Sequence, residues 1–354
     1  MGLKLGLNLG YWGIGPAGEE ALEIVRAAEG HGYESVWAAE SYGSDVVSVL
    51  AWLAGQTERI KLGAAILQVP ARPPAAAAMA GATIDKLSGG RFLFGFGPSG
   101  PQVSEGWYGV PYAQPWGRTR EYIEVVRAII AREGPLEHHG KHYDLPLSGD
   151  GEGKPLKLNF HPLRNEIPVF VGAIGRKSVE MAAEICDGWI PIFFSVDGFE
   201  RTWGEHLEAG FAKGGRTRSD LEVSPSLSVA IDGDLEAARS LVKAGLVLYF
   251  GGMGSRKTNF YVDLAHRFGF GDVADEVQRR FQDGDRAGAF EAMPDEIVEA
   301  TSLVGTEAEV AERVERFRGA GIDRLIVSPV HVEAAEKLHT LERLASLAGV
   351  GAPA

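Results

Sequence analysis

RFLFGFGPSGPQ, residues 91–102, sets Gly95, Gly97 and Gly100 in a G-x-G-x-x-G spacing directly after an apolar run. A dinucleotide fingerprint needs glycines that turn the chain into a helix whose free N–H groups hold a pyrophosphate, with an acid about 20 residues further on. Pro98 sits inside the spacing and Pro101 just behind it. The following QVSEGWYGVPYAQPWG is broken by glycine and proline, so no helix is expected before about Arg118. Three strand-and-helix units also precede the run, whereas a fingerprint normally opens its domain. The run therefore reads as a glycine-lined strand end, and the rest of the chain decides what kind of sheet it belongs to.

Apolar strand-like runs alternate with segments of helical period along the chain, the pattern of a parallel sheet covered by helices. Strands are expected at 4–11, 35–40, 60–66, 91–97, 168–174, 188–194, 222–231 and 323–329. Helices are expected near 18–31, 45–57, 74–87, 117–132, 176–186, 197–213, 235–248 and 331–348. In the last of these Val332, Ala335, Leu338, Leu341, Ala345 and Ala348 recur at three- and four-residue steps, a stripe for packing on a barrel wall. Eight such units point to a (β/α)8 barrel, a TIM barrel, with an open doubly wound sheet as the alternative. Residues 134–167 and 250–301 read as insertions into one domain spanning 1–354.

The composition is that of an ordinary globular protein: 45% apolar residues are spread along 354 positions. No uncharged run reaches the roughly 18 residues of a membrane span, and the N-terminus lacks the long apolar region of a signal peptide. Gly6 stands where a myristoylation signal wants serine or threonine. The single cysteine, Cys186, excludes an intramolecular disulfide and reads as a buried small hydrophobe. A net charge of −13 argues against nucleic acid or an anionic membrane as the main partner. A cytoplasmic protein acting on a small molecule is expected, as a homodimer.

In such a barrel chemistry gathers at the C-terminal ends of the strands. That places Asn8 to Tyr11, Glu40 to Tyr42, Ala65 to Gln68, Gly95 to Gly100 with Glu105, Gly172 to Lys177, and Pro191 to Phe194 around the mouth. Glycines there let a flat ring lie close against the backbone. In VGAIGRKSVE a strand ends at Gly172 and a helix begins near Arg176. The N–H groups of Gly175, Arg176 and Lys177 then form an anion site suited to phosphate, the alternative being a plain turn with solvated cations. Glu40 has two readings, a proton donor or acceptor whose pKa burial raises, or a carboxylate bonded to mouth backbone. Glu105 is a second candidate acid, the alternative being a solvated loop carboxylate. EHHGKHYD reads as a surface hairpin turning at Gly140–Lys141 rather than as a metal site. Asp85 and Arg91, at the opposite end of the fourth strand, read as structural.

These residues carry a family likeness. ATIDKLSGGRFLFGFGPSG, the GAAILQVPARPP before it, VFVGAIGRKSVEMAAEICDGWIP and HHGKHYDLP together resemble the bacterial-luciferase-like superfamily. More narrowly, they are similar to its actinobacterial branch of oxidoreductases that use the deazaflavin coenzyme F420. The resemblance implies a barrel binding a flavin or deazaflavin at the strand mouths, with Ala65, Ile66, Leu67, Gly97, Pro98, Ser99, Gly100, Gly172, Ala173, Ile174, Gly175, Arg176 and Lys177 about the cofactor. It also implies a cis non-prolyl bond at Ala65–Ile66. Some sugar-phosphate-oxidising members place an Asp-His pair where this chain has Glu40-Ser41, so that imidazole is missing and Glu40, Ser41 and Glu105 are the catalytic candidates. The acidic tail of F420 calls for cations at the mouth of an acidic protein, and Arg256 and Lys257 in YFGGMGSRKTNFY, together with Arg176 and Lys177, are the candidates, the alternative being a solvated loop with no ligand. The function implied is hydride transfer between F420 and a small organic substrate. The alternatives are an FMN-dependent monooxygenase of the same barrel and a non-catalytic cofactor-binding protein.

Overall fold

The computed structural model describes residues 2–12, 18–254 and 259–351. The barrel strands are β1 (Lys4–Tyr11), β2 (Ser35–Ala39), β3 (Lys61–Ala64), β4 (Phe92–Gly97), β5 (Val169–Gly172), β6 (Gly188–Ile190), β7 (Ser226–Ile231) and β8 (Arg324–Pro329). Each pairs in parallel with its neighbour in chain order from β1 to β6, and β8 pairs with both β7 and β1. Closure between β6 and β7 runs through a short strand, Glu222–Val223, which pairs with Gly188–Trp189. Pro225 has no N–H for the ladder, so the expected strand 222–231 breaks there. Pairing resumes when Ser226 N–H donates to the Pro191 carbonyl at 2.8 Å. The result is a closed (β/α)8 ring, not the open sheet.

The ring interior is filled by rings opposite glycines. Trp37, Leu93, Phe170, Ile190 and Ile326 form one buried cluster across β2, β4, β5, β6 and β8. A Cβ on Gly63 would lie 2.2 Å from the Trp37 ring, and one on Gly188 2.0 Å from Phe170. Small residues therefore sit where large neighbours need the space.

Below this cluster the N-terminal ends of the strands hold a charged floor. Arg324, 1% exposed, donates to Glu222 and Ser35, and Lys4 donates to Glu222 Oε2 at 2.9 Å. Burial alone would raise the Glu222 carboxyl. The charge and bond of Arg324, then Lys4, outweigh it and pull the group from 4.5 to about 2. A depressed carboxylate contributes stability that is complete above its ordinary value and lost as pH falls through the folded value. Thermal unfolding is therefore expected to ease steeply from about pH 5 to about pH 2, and Glu222→Gln should flatten that slope. An unchanged slope would place the acid sensitivity elsewhere. Asp85 and Arg91 are structural as expected: Arg164 pairs with buried Asp85, and the Arg91 guanidinium donates to the carbonyls of Ala54, Thr57, Ile60 and Ser88.

Several expectations need correction. A helix does follow Gly100: Pro101–Gly106 is one short helix opened by proline at its first position, where the missing N–H costs nothing. The next begins at Pro115. The 250–301 segment is followed by a further parallel strand, Ser302–Gly305, paired with the outer half of β7. A helix, Glu307–Gly319, comes next, and its capping box of Thr306 and Glu309 was a readable start signal. The helices of the insertion build a second apolar cluster around Val242, Phe250, Val277 and Met293. Val332 does not pack on the wall: it is 75% exposed and precedes the last helix, Ala334–Leu347. The hairpin pairs His139 with Asp144, so its turn spans four residues rather than two. The Glu121 carboxylate accepts from the N–H groups of Lys141, His142 and Tyr143 inside it. Cys186 is fully buried, which pushes its thiol up to about 12.

Candidate active site at the barrel mouth

β4, buried at every residue, meets an interrupted third strand. β3 ends at Ala64, the Ala65–Ile66 peptide is cis, and the chain resumes as Leu67–Gln68 pairing with Phe96 and Gly97. This detour explains two of the three glycines in the opening run. A Cβ on Gly95 would stand 1.8 Å from the Ala64 carbonyl oxygen, and one on Gly97 2.2 Å from Ile66 Cδ1. Their missing side chains make room for the neighbouring strand. Ligand access is a secondary effect: with Gly97 and Gly172 both bare, Ile66 lies flat across the ends of β4 and β5, 3.0 Å from the Cβ position of Gly172. Gly100 does something else, preceding Pro101 in extended backbone.

Past Gly97 the chain turns through Pro98 and Ser99, the latter at a φ of 62°. Ser99 is held from two sides. Gln68 Nε2 donates to its hydroxyl at 2.9 Å, and the Tyr112 hydroxyl donates to its carbonyl at 3.1 Å. Gln68 Oε1 is buried with no hydrogen-bond partner among the described residues.

Glu40 follows β2 and is 5% exposed. Arg72 Nη1 and Nη2 donate to its two oxygens at 2.7 and 2.8 Å, and the Gln68 N–H donates to Oε1 at 2.8 Å. Both earlier readings of Glu40 thus meet a third fact: the carboxylate is clamped by a guanidinium. Burial works against the Arg72 charge, but Glu40 first and Asp45 after it raise its pKa above the ordinary value. Arg72 lies 32 positions from Glu40, with no local pattern to reveal the pair. Ser41 accepts through its carbonyl from the Tyr108 hydroxyl at 3.1 Å. Glu105 is exposed on the Pro101–Gly106 helix and accepts from the Tyr112 N–H at 2.9 Å, bracing the loop.

At the end of β5 the carbonyls, not the N–H groups, are tied down. The Ala173 oxygen accepts from Trp189 Nε1, and the Ile174 oxygen accepts from Trp203 Nε1 and Arg267 Nη2. The helix Arg176–Ile185 starts at once, with Gly175 as its cap. The N–H groups of its first turn have no acceptor within the helix. Arg267, like Arg72, is a residue that sequence reading missed. It arrives from the helix Phe260–Phe268, its Nη1 is buried with no hydrogen-bond partner among the described residues, and burial followed by the charge of Arg176 lowers its pKa. Two guanidinium groups, those of Arg176 and Arg267, therefore stand near the start of this helix. Arg256 and Lys257 lie outside the described residues.

A separate cleft of about 770 Å³ lies on the barrel flank, among Arg127, Arg164, Pro168, Glu184 and Asp187. It opens at the N-terminal end of β5, away from the mouth. Its arginines are engaged, Arg127 with Asp187 and Arg164 with Asp85. Among the described residues no group of three or more His, Cys, Asp or Glu side chains is arranged to hold a metal ion. No helix among them is long and apolar enough to cross a membrane.

Comparison with known proteins adds to this geometry. A family model described as luciferase-like monooxygenase matches residues 8–324. A Mycobacterium tuberculosis protein, provisionally assigned as a coenzyme F420-dependent oxidoreductase, is 45% identical over 347 residues, 96% of this chain and 99% of its own. The 5,10-methylenetetrahydromethanopterin reductase of Archaeoglobus fulgidus is 29% identical over 313 residues, 86% of this chain and 88% of its own. In fold, the coenzyme F420-dependent tetrahydromethanopterin reductase of Methanopyrus kandleri superposes with a TM-score of 0.78 at 24% identity, covering 98% of both chains.

Proposed function

The chain belongs to the luciferase-like monooxygenase family, and on that premise we propose that it is an oxidoreductase using coenzyme F420, moving hydride between the deazaflavin and a small organic substrate. The observation that carries this reading is the 45% identity, over nearly the whole of both chains, to a relative assigned to F420. The residues present fit the group. Ile66, backed by Gly97 and Gly172, offers a flat support at the mouth for a ring. The N–H groups of Gly175, Arg176 and Lys177, with the Arg176 and Arg267 guanidinium groups, would hold a phosphate, which gives the unpartnered Arg267 Nη1 an acceptor. When bound, the cofactor supplies or accepts hydride at its ring. The direction favoured is reduction of an activated alkene, imine or carbonyl.

Within this reading Glu40 orders the mouth instead of moving protons, because Arg72 engages both of its oxygens. Ser41 stands beside it, with Tyr108 fixing its backbone. Glu105 holds the loop that carries Tyr112. Arg256 and Lys257 would meet the acidic tail of F420, offsetting the repulsion of a protein with net charge −13.

Gly175→Val tests the phosphate position at a small cost to the local packing. The residue has φ −81° and ψ 152°, which valine adopts, and a Cβ there meets only Ser178 Oγ at 3.3 Å. Blocking the backbone is expected to weaken F420 binding at least about tenfold, roughly 1.4 kcal/mol, in a fluorescence titration. Unchanged affinity would move the phosphate elsewhere. The family description also admits an FMN-dependent monooxygenase. Anaerobic oxidation of reduced F420 by a panel of enones and imines separates the two. Turnover without oxygen supports the F420 reading, and turnover only with FMN and oxygen uptake replaces it.

A further inference from the structure

The strand ends from β6 round to β1 carry an aromatic wall made from four separate parts of the chain. Tyr11 ends β1, Phe193 follows β6, Tyr249 lies on the helix Leu235–Gly252, and Tyr261 on the helix Phe260–Phe268. Phe193 meets Tyr249 and Tyr261 edge-on at ring separations of 5.0 and 5.6 Å, and the two tyrosines meet each other at 5.1 Å. Phe193 adopts a φ of 50°, a left-handed backbone that a bulky side chain rarely takes, and it packs against both apolar clusters. Tyr249 and Tyr261 each lie within electrostatic reach of Tyr11, and Tyr261 also of Tyr112. Tyr112 in turn donates to Ser99 on the cofactor side, so the wall and the Ile66 support share one mouth.

The chemistry of these five groups is uniform. They are aromatic rings, four of them carrying a neutral hydroxyl, and burial raises the phenols of Tyr11, Tyr249 and Tyr261, so each stays a protonated donor. None brings a charge. Arg267, on the same helix as Tyr261, is directed to the Ile174 carbonyl instead. Aromatic walls with a few neutral donors bind flat apolar molecules carrying an acceptor, and they give an anionic, heavily hydrated molecule nothing in return for its lost water.

We propose that the substrate site of this enzyme takes a neutral, flat, conjugated molecule between the Phe193–Tyr249–Tyr261 wall and Tyr112, with the Tyr11 hydroxyl donating to its oxygen or nitrogen acceptor. This names a substrate class for the F420 reading above and rests on it. The test uses coumarin as the probe and glucose 6-phosphate as its anionic, hydrophilic counterpart, each titrated by calorimetry into F420-loaded protein. Coumarin is expected to bind at least about tenfold more tightly than the sugar phosphate. Tyr261→Ala is expected to weaken coumarin at least about fivefold, and Tyr11→Phe, which removes one hydrogen bond and little else, about threefold to tenfold. Tyr261→Leu, which keeps apolar bulk and removes the flat face, should also weaken coumarin and stands in if the alanine protein does not fold. Affinity for F420 should change little in all three. Coumarin that does not bind, coumarin affinity unmoved by Tyr11→Phe and both Tyr261 variants, or preference for the sugar phosphate would each overturn the proposal. The F420 titration that precedes loading separates the two claims. Protein that takes up no F420 refutes the functional reading, and protein that takes up F420 but not coumarin refutes the aromatic site alone.

Discussion

Arg72→Met is expected to destabilise the protein by about 3–5 kcal/mol, the range for leaving one member of a buried ion pair alone. The side chains of Glu40 and Arg72 are 4% and 16% exposed, so water reaches neither freely. Without the guanidinium, Glu40 keeps only the N–H groups of Gln68 at 2.8 Å and Val46 at 3.4 Å, too few donors for a buried carboxylate. Denaturant unfolding monitored by fluorescence should show a lower midpoint with an unchanged slope. The double variant Arg72→Met with Glu40→Leu should recover much of the loss, because replacing both members by apolar groups removes the stranded charge. A single variant as stable as the parent would show that Glu40 is wet or readily protonated in solution. That result would reopen its reading as a group that handles protons.

Gly95→Ala is expected to cost about 3 kcal/mol, at or beyond the upper end of ordinary overpacking. The added methyl would stand 1.8 Å from the Ala64 carbonyl oxygen, a backbone atom that moves only if β3 and β4 separate. Gly97→Ala provides the internal comparison. Its methyl would meet the tip of the Ile66 side chain at 2.2 Å, which can rotate away, so about 1 kcal/mol is expected there. The order of the two effects is the informative part. If Gly97→Ala proved the more damaging to stability, the detour of the third strand would not be the reason for the glycines. Gly97→Ala should instead show its main effect on cofactor affinity, through the displaced Ile66.

How far the sequence could be read follows from the range of each interaction. Strand and helix order depends on local periodicity, and the barrel was legible for that reason. The proline at 225 and the capping box at Thr306 were also local signals, and they mark the places where the expected boundaries fail. The glycines of β4 were recognised as belonging to a strand end, but what they face is a strand some 30 residues earlier, so the space they leave could not be assigned. Glu40 was singled out, whereas its partner Arg72 was not. Arg267 is the clearest case. On its own helix it looks like any solvated arginine in the last turn, and only the folding of the insertion back over β5 brings it to the Ile174 carbonyl beside Arg176. The tyrosine wall escaped for the same reason, since Tyr11 and Tyr249 meet only when the ring closes.

The central claim is that this mouth is built for a deazaflavin. Its most direct test is a parallel titration of the purified protein with F420 and with FMN, followed by fluorescence at low and at high salt. F420 should bind in the micromolar range and weaken as salt screens its acidic tail, and FMN should bind at least about tenfold more weakly. Tight FMN binding with negligible F420 binding would contradict the account.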